Sequence, residues 1–304
     1  MTDKMSAAMQ IAERVYSLAQ EQDDPTLMTG AYNTLAATLY WSGDFESAQQ
    51  YAMSGIKIWR SGSVRFSAGH LYTPAVGCLG FAAMSEWHLG EIASCQANIA
   101  EAISLAKELN DANALALALT WAALIGYFER KPAEVEHCAS ELIELSTRQN
   151  FAPWLALGTV CRGWARSVSG DTTAGISWIE DGIGDWRATG ATLTIPFSLA
   201  VKAEALHLAD RTAEALESIG EAQATSERSG ERWWYAELHR LRGVFLAALG
   251  ADETQIGASF SEAIKIAREQ KSVSLEKRAQ ATYAEYRRQK ASASGGCGFR
   301  LPLG

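Results

Sequence analysis

Proline is scarce in this chain, with six among 304 residues, and β-branched runs are few. Little therefore interrupts long helices, and nothing in the pattern suggests a sheet. Cysteine is sparse too. Cys78, Cys95, Cys138, Cys161 and Cys297 form no CxxC pair, so a disulfide framework is not expected and a reducing cytoplasm is. The longest apolar run, Leu115 to Phe128, stops short of the roughly 20 residues that a membrane-spanning helix needs and contains Thr120. The N-terminus carries charges throughout and resembles neither a signal peptide nor an anchor. Positive charge is also lacking. The net charge is −8 and the pI about 5.3, so the basic surface expected of a nucleic-acid binder is absent. No membrane and no nucleic-acid partner is expected.

Catalytic signatures are missing as well. There is no GxxxxGK[ST] phosphate loop, no HExxH or other metal-ligand spacing, and no GxSxG. The GGCG of the tail follows no strand and opens no helix. His137 and Cys138 are adjacent, but neighbours on a helix point about 100° apart and cannot form a catalytic pair. No catalytic residue, metal or cofactor is expected.

What the chain does have is a repeat. Pivot residues Gly43, Gly90, Arg130, Gly170, Asp210 and Gly250 are 47 residues apart at the first interval and 40 at each of the next four. Seven residues before each pivot stands a small residue: Ala36, Ala83, Ala123, Gly163, Ala203 and Gly243. Nine after it come Ala52, Ile99, Ala139, Ile179 and Ile219, and twelve after it Gly55, Ala102, Leu142, Gly182 and Ala222. Phe260 and Ala263 continue both series one place late, which implies a one-residue insertion after Gly250. Small residues at fixed points let two helices approach closely, and a pivot rich in Gly suits a helix C-cap. A period of this size signals a solenoid of helical hairpins.

The expected architecture is all-α: a single right-handed solenoid over residues 1–290, followed by a disordered Gly/Ser-rich tail at 291–304. Residues 5–22 form a helix that reads as the second half of a hairpin. Six units follow, at about 27–60, 70–109, 112–147, 151–187, 192–229 and 231–270, and a last helix at about 272–290 closes the stack. The extra residues of the first interval fall near 60–74, an expected loop.

The candidate site is a stripe. Three residues before the pivots stand Tyr40, Trp87, Tyr127, Ser167, His207 and Ala247. Two before them stand Trp41, His88, Phe128, Val168, Leu208 and Ala248. If the first helices of the units line a concave face, these rings form a ladder that suits an extended peptide or a helix. The other reading is that they pack between units as core. Glu204 occupies an inward position that is otherwise apolar, where it could meet a ligand or pair with Lys or Arg. Asn33, Thr120, Trp164 and Arg240 could add polar contacts along the same face.

The small–turn–small spacing resembles the tetratricopeptide repeat, lengthened from 34 residues to 40. Longer stretches resemble the C-terminal repeat region of bacterial class III adenylate or guanylate cyclase–ATPase signalling proteins. They are LAATLYWSGDFESAQQY (35–51), ISLAKELNDANALALALTWAALI (103–125), GERWWYAELHRLRG (230–243) and FSEAIKIAREQKSVSLEKRAQATYAEYRRQ (260–289). The third is the most specific, with Trp233-Trp234 followed by Glu237, His239, Arg240, Arg242 and Gly243. Because the cyclase and ATPase domains are not in this sequence, the resemblance transfers no catalytic residue. It implies a non-enzymatic interaction module that binds a protein or peptide in its concave groove. The alternatives are a small-molecule sensor in the aromatic first half, or a cyclase fragment without its catalytic domain.

Overall fold

A computed structural model describes residues 4–62 and 73–292; part of the 60–74 loop and most of the 291–304 tail, with Cys297, lie outside them. Among the described residues there are fourteen helices and no strand. Helix α1 (Lys4–Gln22) precedes six hairpins: α2 (Pro25–Ser42) with α3 (Phe45–Arg60), α4 (Pro74–Leu89) with α5 (Ile92–Glu108), and α6 (Ala112–Phe128) with α7 (Pro132–Gln149). Then come α8 (Ala152–Val168) with α9 (Thr172–Ala188), α10 (Ile195–Leu208) with α11 (Thr212–Ser229), and α12 (Tyr235–Ala248) with α13 (Glu253–Glu269). Helix α14 (Val273–Ser292) ends the stack.

The few prolines mark helix starts. Pro25, Pro74, Pro132, Pro153 and Pro196 all stand at the first or second helical position, where a missing N–H costs nothing. Asp44, Asp111 and Asp171 cap α3, α6 and α9, each accepting from a backbone N–H three residues on. The pivots end the first helices. All six are left-handed, from φ 58° at Arg130 to 104° at Gly170. The register inferred from the repeat is the register of the fold. Second helices begin two residues after the first five pivots but three after Gly250, which locates the inserted residue.

The repeated small positions are contact points. Every residue of the three series is buried. A Cβ on Gly163 would come within 2.7 Å of the Gly175 carbonyl oxygen, and one on Gly175 within 2.1 Å of Ser167 Oγ. Helices α8 and α9 therefore touch backbone to backbone.

First helices pack on first helices along the whole stack, from α2 to α14, while the second helices form an outer layer between them. The burial follows: α4, α6, α10 and α12 are buried almost all round, whereas α7 and α11 bury one stripe. One further contact sets the shape. Helix α14 also packs on α4, so the stack bends until its last units meet its first. The main apolar core runs from Ala36 to Tyr286, and Ala116, Leu119, Leu142 and Leu145 form a second, smaller cluster on α6 and α7.

Candidate functional site

The closure brings the segment before α12 and the start of α14 onto the last turns of α2, α4 and α6. Arg232 N–H donates to the Trp41 carbonyl at 2.8 Å, and Gln270 Nε2 donates to the Arg232 carbonyl at 2.8 Å. His88 Nδ1 lies 3.0 Å from Ser272 Oγ. Ser274 Oγ donates to the Trp87 carbonyl, Arg278 Nη2 to the Phe128 carbonyl, and Lys271 pairs with Glu46. Carbonyls at a helix C-terminus lack intrahelical donors, and here the last units supply donors to those of Trp41 and Phe128 and a second donor to that of Trp87, which also accepts from Gly90 N–H.

The aromatic stripe fills the interior of this ring. Of the ten candidates, Tyr40, Trp87, His88, Tyr127, Phe128, Trp164, Glu204 and Arg240 are buried, and only Trp41 and His207 keep partial exposure. The core reading of the ladder is therefore the one the structure shows, and the open groove is occupied by the chain itself. The rings meet Trp233, Trp234 and Phe197. Trp233 stacks on Phe197 at 5.4 Å and lies 5.5 Å from Tyr40 and 5.4 Å from Trp41. Trp234 stacks on Phe128 at 4.7 Å, and His88 stacks on Phe45 at 3.7 Å. His207 is separate: it faces Phe245, with Nδ1 2.9 Å from Thr212 Oγ1. Asn33 and Thr120 are buried, and Thr120 bonds back to the Ala116 carbonyl.

Beside the rings lies a buried ionic cluster. Glu204 accepts from Tyr127 OH at 2.6 Å, from Trp164 Nε1 at 3.1 Å and from Arg130 Nη1 at 2.6 Å. Glu237 Oε1 accepts from Arg240 Nη2 at 2.8 Å and from Arg130 Nη2 and Arg278 Nη1, each at 3.2 Å. Arg240 Nη1 also reaches Thr282 Oγ1 at 3.2 Å. Of the two readings of Glu204, the ion pair is the contact observed.

Burial and charge set the protonation states. Burial pushes the Glu237 carboxyl up, but Arg240, Arg278 and Arg130 outweigh it and hold it at about 2. Glu231 has no such neighbours. It is buried, accepts from Trp233 Nε1 at 2.6 Å and from Thr194 N–H at 3.1 Å, and burial raises it to about 7. Burial, then Arg278, lowers His88 well below the usual imidazole range, so the ring is neutral. Burial lifts Cys78, Cys95 and Cys161 to about 12, so their thiols stay protonated. No group of His, Cys, Asp and Glu able to hold a metal occurs among the described residues. No helix there is long and apolar enough to cross a membrane.

At the surface of the seam is a cleft of about 610 Å³. Ser42, Asp44 and Glu46 of the first unit form one wall, and Arg232, Tyr235, Gln270 and Lys271 of the last units form the other.

Five important residues lie outside the stripe. Arg130 had been visible only as a pivot, and Glu237 only as part of a resemblance, as had Trp233 and Trp234. Arg278 carried a signal of its own: it shares a face with Leu275 and Thr282, which are buried at helical spacing along α14.

The family model for anaphase-promoting complex subunit 5 matches residues 64–127 and 210–289, together under half of the chain. An uncharacterised protein of Rhizobium meliloti strain 1021 is 23% identical over 277 residues, which is 90% of this chain and 27% of that protein. The chain thus spans about a quarter of the length of that relative. Among solved structures, Bacillus thuringiensis PlcR in complex with the peptide PapR7 and DNA matches over 97% of this chain and 100% of its own, at 14% identity and TM-score 0.56. Aspartyl phosphate phosphatase F of Bacillus subtilis matches over 93% and 76%, at 11% identity and TM-score 0.53. A tetratricopeptide repeat protein of Parabacteroides merdae matches over 88% and 92%, at 14% identity and TM-score 0.50. These likenesses establish the fold: the chain is a tetratricopeptide-like all-α solenoid.

Proposed function

We propose that this chain is a non-enzymatic regulatory module that binds a protein or peptide segment at the seam where its last units meet its first, rather than in the concave groove, which the chain itself fills. The observation that carries this reading is the seam. One cleft is lined by both the first and the last units, so a segment seated there senses whether the ring is closed. The half-exposed Trp41 borders that seam and is the member of the aromatic stripe that a partner meets first; His207 offers a second contact further along the stack. The eight buried candidates act through closure, by fixing the geometry of the walls. PlcR, similar in fold, was solved with a peptide bound, which supports the same class of partner. A small molecule in the aromatic first half is less favoured, because Trp233, Trp234 and Phe197 already cover Tyr40, Phe128 and Tyr127.

The finer reading is a cytoplasmic repeat region in a bacterial cyclase–ATPase signalling system. It rests on the four quoted stretches, and the much greater length of the Rhizobium relative is compatible with it. The test is chemical cross-linking of the purified chain in a lysate of its source organism, compared with an Arg232→Ala/Lys271→Ala variant. A discrete protein partner captured by the parent chain and lost by the folded variant is expected. A variant that retains every partner would remove the seam from the account.

A further inference from the structure

Helix α1 and the start of α2 leave large apolar side chains in solvent. Ile11 is 63% exposed, Val15 37%, Leu18 38% and Leu27 38%. Single exposed apolar residues are ordinary on a protein surface, but a group of them marks a place that is covered in some other state. Ile11, Val15 and Leu18 stand four and three residues apart, so they share one face of α1.

The repeat tells what such a face meets. The pair α1–α2 matches the pair α7–α8 when residues are compared 127 positions apart. On that register Gln22 and Gln149 end the helices, and Asp23 at φ 49° and Asn150 at φ 55° make the left-handed turn. Gly43 and Gly170 then coincide as pivots, and Ala12 and Ala139 as fully buried small residues. Val15, Leu18 and Leu27 fall on Leu142, Leu145 and Trp154.

In the later unit these three belong to one cluster. Leu142 and Leu145 are buried, and Trp154 packs against them. Helix α6 completes the cluster through Ala112, Leu115, Ala116 and Leu119. Trp154 Nε1 also donates to Asn113 Oδ1 of α6 at 2.7 Å. Phe151, the remaining member, has Asp24 in its place in the first unit. Each second helix from α3 to α13 packs between two first helices, whereas α1 packs on one, α2. The exposed residues of α1 and α2 are thus the α7–α8 share of a cluster whose α6 share is not supplied by any described helix.

We propose that Val15, Leu18 and Leu27 form a docking surface for an amphipathic helix of a partner protein, seated on α1 as α6 is seated on α7. Helix α6 shows the chemistry of the covering face. Ala112, Leu115, Ala116 and Leu119 are spaced i, i+3, i+4 and i+7, so alanines let the helices approach and leucines fill the space between. A second copy of this chain does not offer that face. Its own α6 is buried almost all round, and its α1 stripe carries branched side chains where α6 has alanine. The surface goes beyond the seam and shares no residue with it.

The test is a fluorescence-anisotropy titration of the full chain into a labelled peptide with the sequence of residues 112–128. Leu117, Trp121, Leu124 and Phe128, all members of the main core, are replaced in it by lysine or glutamate for solubility. The parent chain should bind the peptide, and Val15→Asp/Leu18→Asp should bind it about tenfold more weakly or worse. Both positions are exposed, so the melting midpoint of this variant should stay near that of the parent. Leu27→Gln, on α2, is the second variant and should weaken binding about threefold. A peptide with serine in place of Leu115 and Leu119 should bind about tenfold more weakly. Arg232→Ala/Lys271→Ala, which alters the seam alone, should bind the peptide as the parent does. No binding, equal binding by the parent and the folded variants, or equal binding of the serine peptide would overturn the proposal. So would loss of the peptide in the seam variant, which would move the contact to the seam. Sedimentation of the parent chain tests the other occupant. A monomer is expected, and a dimer that Val15→Asp/Leu18→Asp dissociates would assign the surface to a second copy and overturn the partner helix.

Discussion

Trp233 is the most demanding residue on which to test the closed interior. It is fully buried, and its ring lies 5.3–5.9 Å from Tyr40, Trp41, Phe128, Phe197 and Trp234. Truncation to alanine removes a side chain of the aromatic class, which buries about 150–250 Å². At about 25 cal/mol per Å² the transfer loss alone is roughly 4–6 kcal/mol, close to the 3–5 kcal/mol typical of buried Phe or Trp truncations. Relaxation of the surrounding rings works against this, and loss of the bond to Glu231 adds to it. An overall loss of about 4 kcal/mol is expected, a large share of the roughly 5–15 kcal/mol that holds a typical domain together. Urea denaturation followed by circular dichroism measures it. Trp178→Ala is the control. Trp178 lies on the outer helix α9, only partly buried, with Arg162 5.0 Å from its ring centre, and should cost about 1 kcal/mol or less. If Trp233→Ala costs no more than Trp178→Ala, the aromatic interior does not hold the last units against the first.

The remaining predictions concern charge and backbone contact. Glu231 titrates at about 7 in the fold against 4.5 when unfolded, so the folded state holds the extra proton between these values and stability falls as pH rises through that window. The full loss is about 3 kcal/mol, and Glu231→Gln should flatten the slope of denaturation midpoint against pH between 4.5 and 7. Glu237 has the opposite sign: its contribution is present above 4.5 and is lost as pH falls towards 2, so Glu237→Gln should blunt acid unfolding. Gly175→Ala should lower stability by about 1–3 kcal/mol, because its Cβ would meet Ser167 Oγ and the Gly163 carbonyl. Gly184→Ala on the same helix has open space and should raise it by about 0.5–1 kcal/mol; thermal melts of the pair would compare them, and equal effects would contradict the close contact of α8 and α9.

Local structure was legible in the sequence because it is periodic and short in range. Pivot, small and apolar positions recur at fixed offsets, and each offset reflects a contact within one hairpin or with the next. The inserted residue after Gly250 could be found because it delays Phe260 and Ala263 together. Closure was not legible. It results from small rotations added over six units, and no single repeat carries that sum. The stripe from Tyr40 to Phe128 therefore fitted an exposed ladder as well as a core. What covers it is Trp233-Trp234, 193 residues beyond Tyr40 in the chain and off the stripe's register. The ionic cluster was hidden for the same reason. Glu204 stood out as a polar residue in an apolar series, but Arg130 is 74 residues away and Glu237 lies on the next first helix.

Closure is the claim on which the seam, the buried stripe and the ionic cluster all depend. Glu46 and Lys271 face one another across it, and both are well exposed to solvent. Spin labels placed by Glu46→Cys and Lys271→Cys, on a chain whose native cysteines have been replaced, would report their separation by electron–electron double resonance. A single narrow distribution at the short end of the measurable range is expected. A broad distribution at long distances would show an open solenoid and contradict the account.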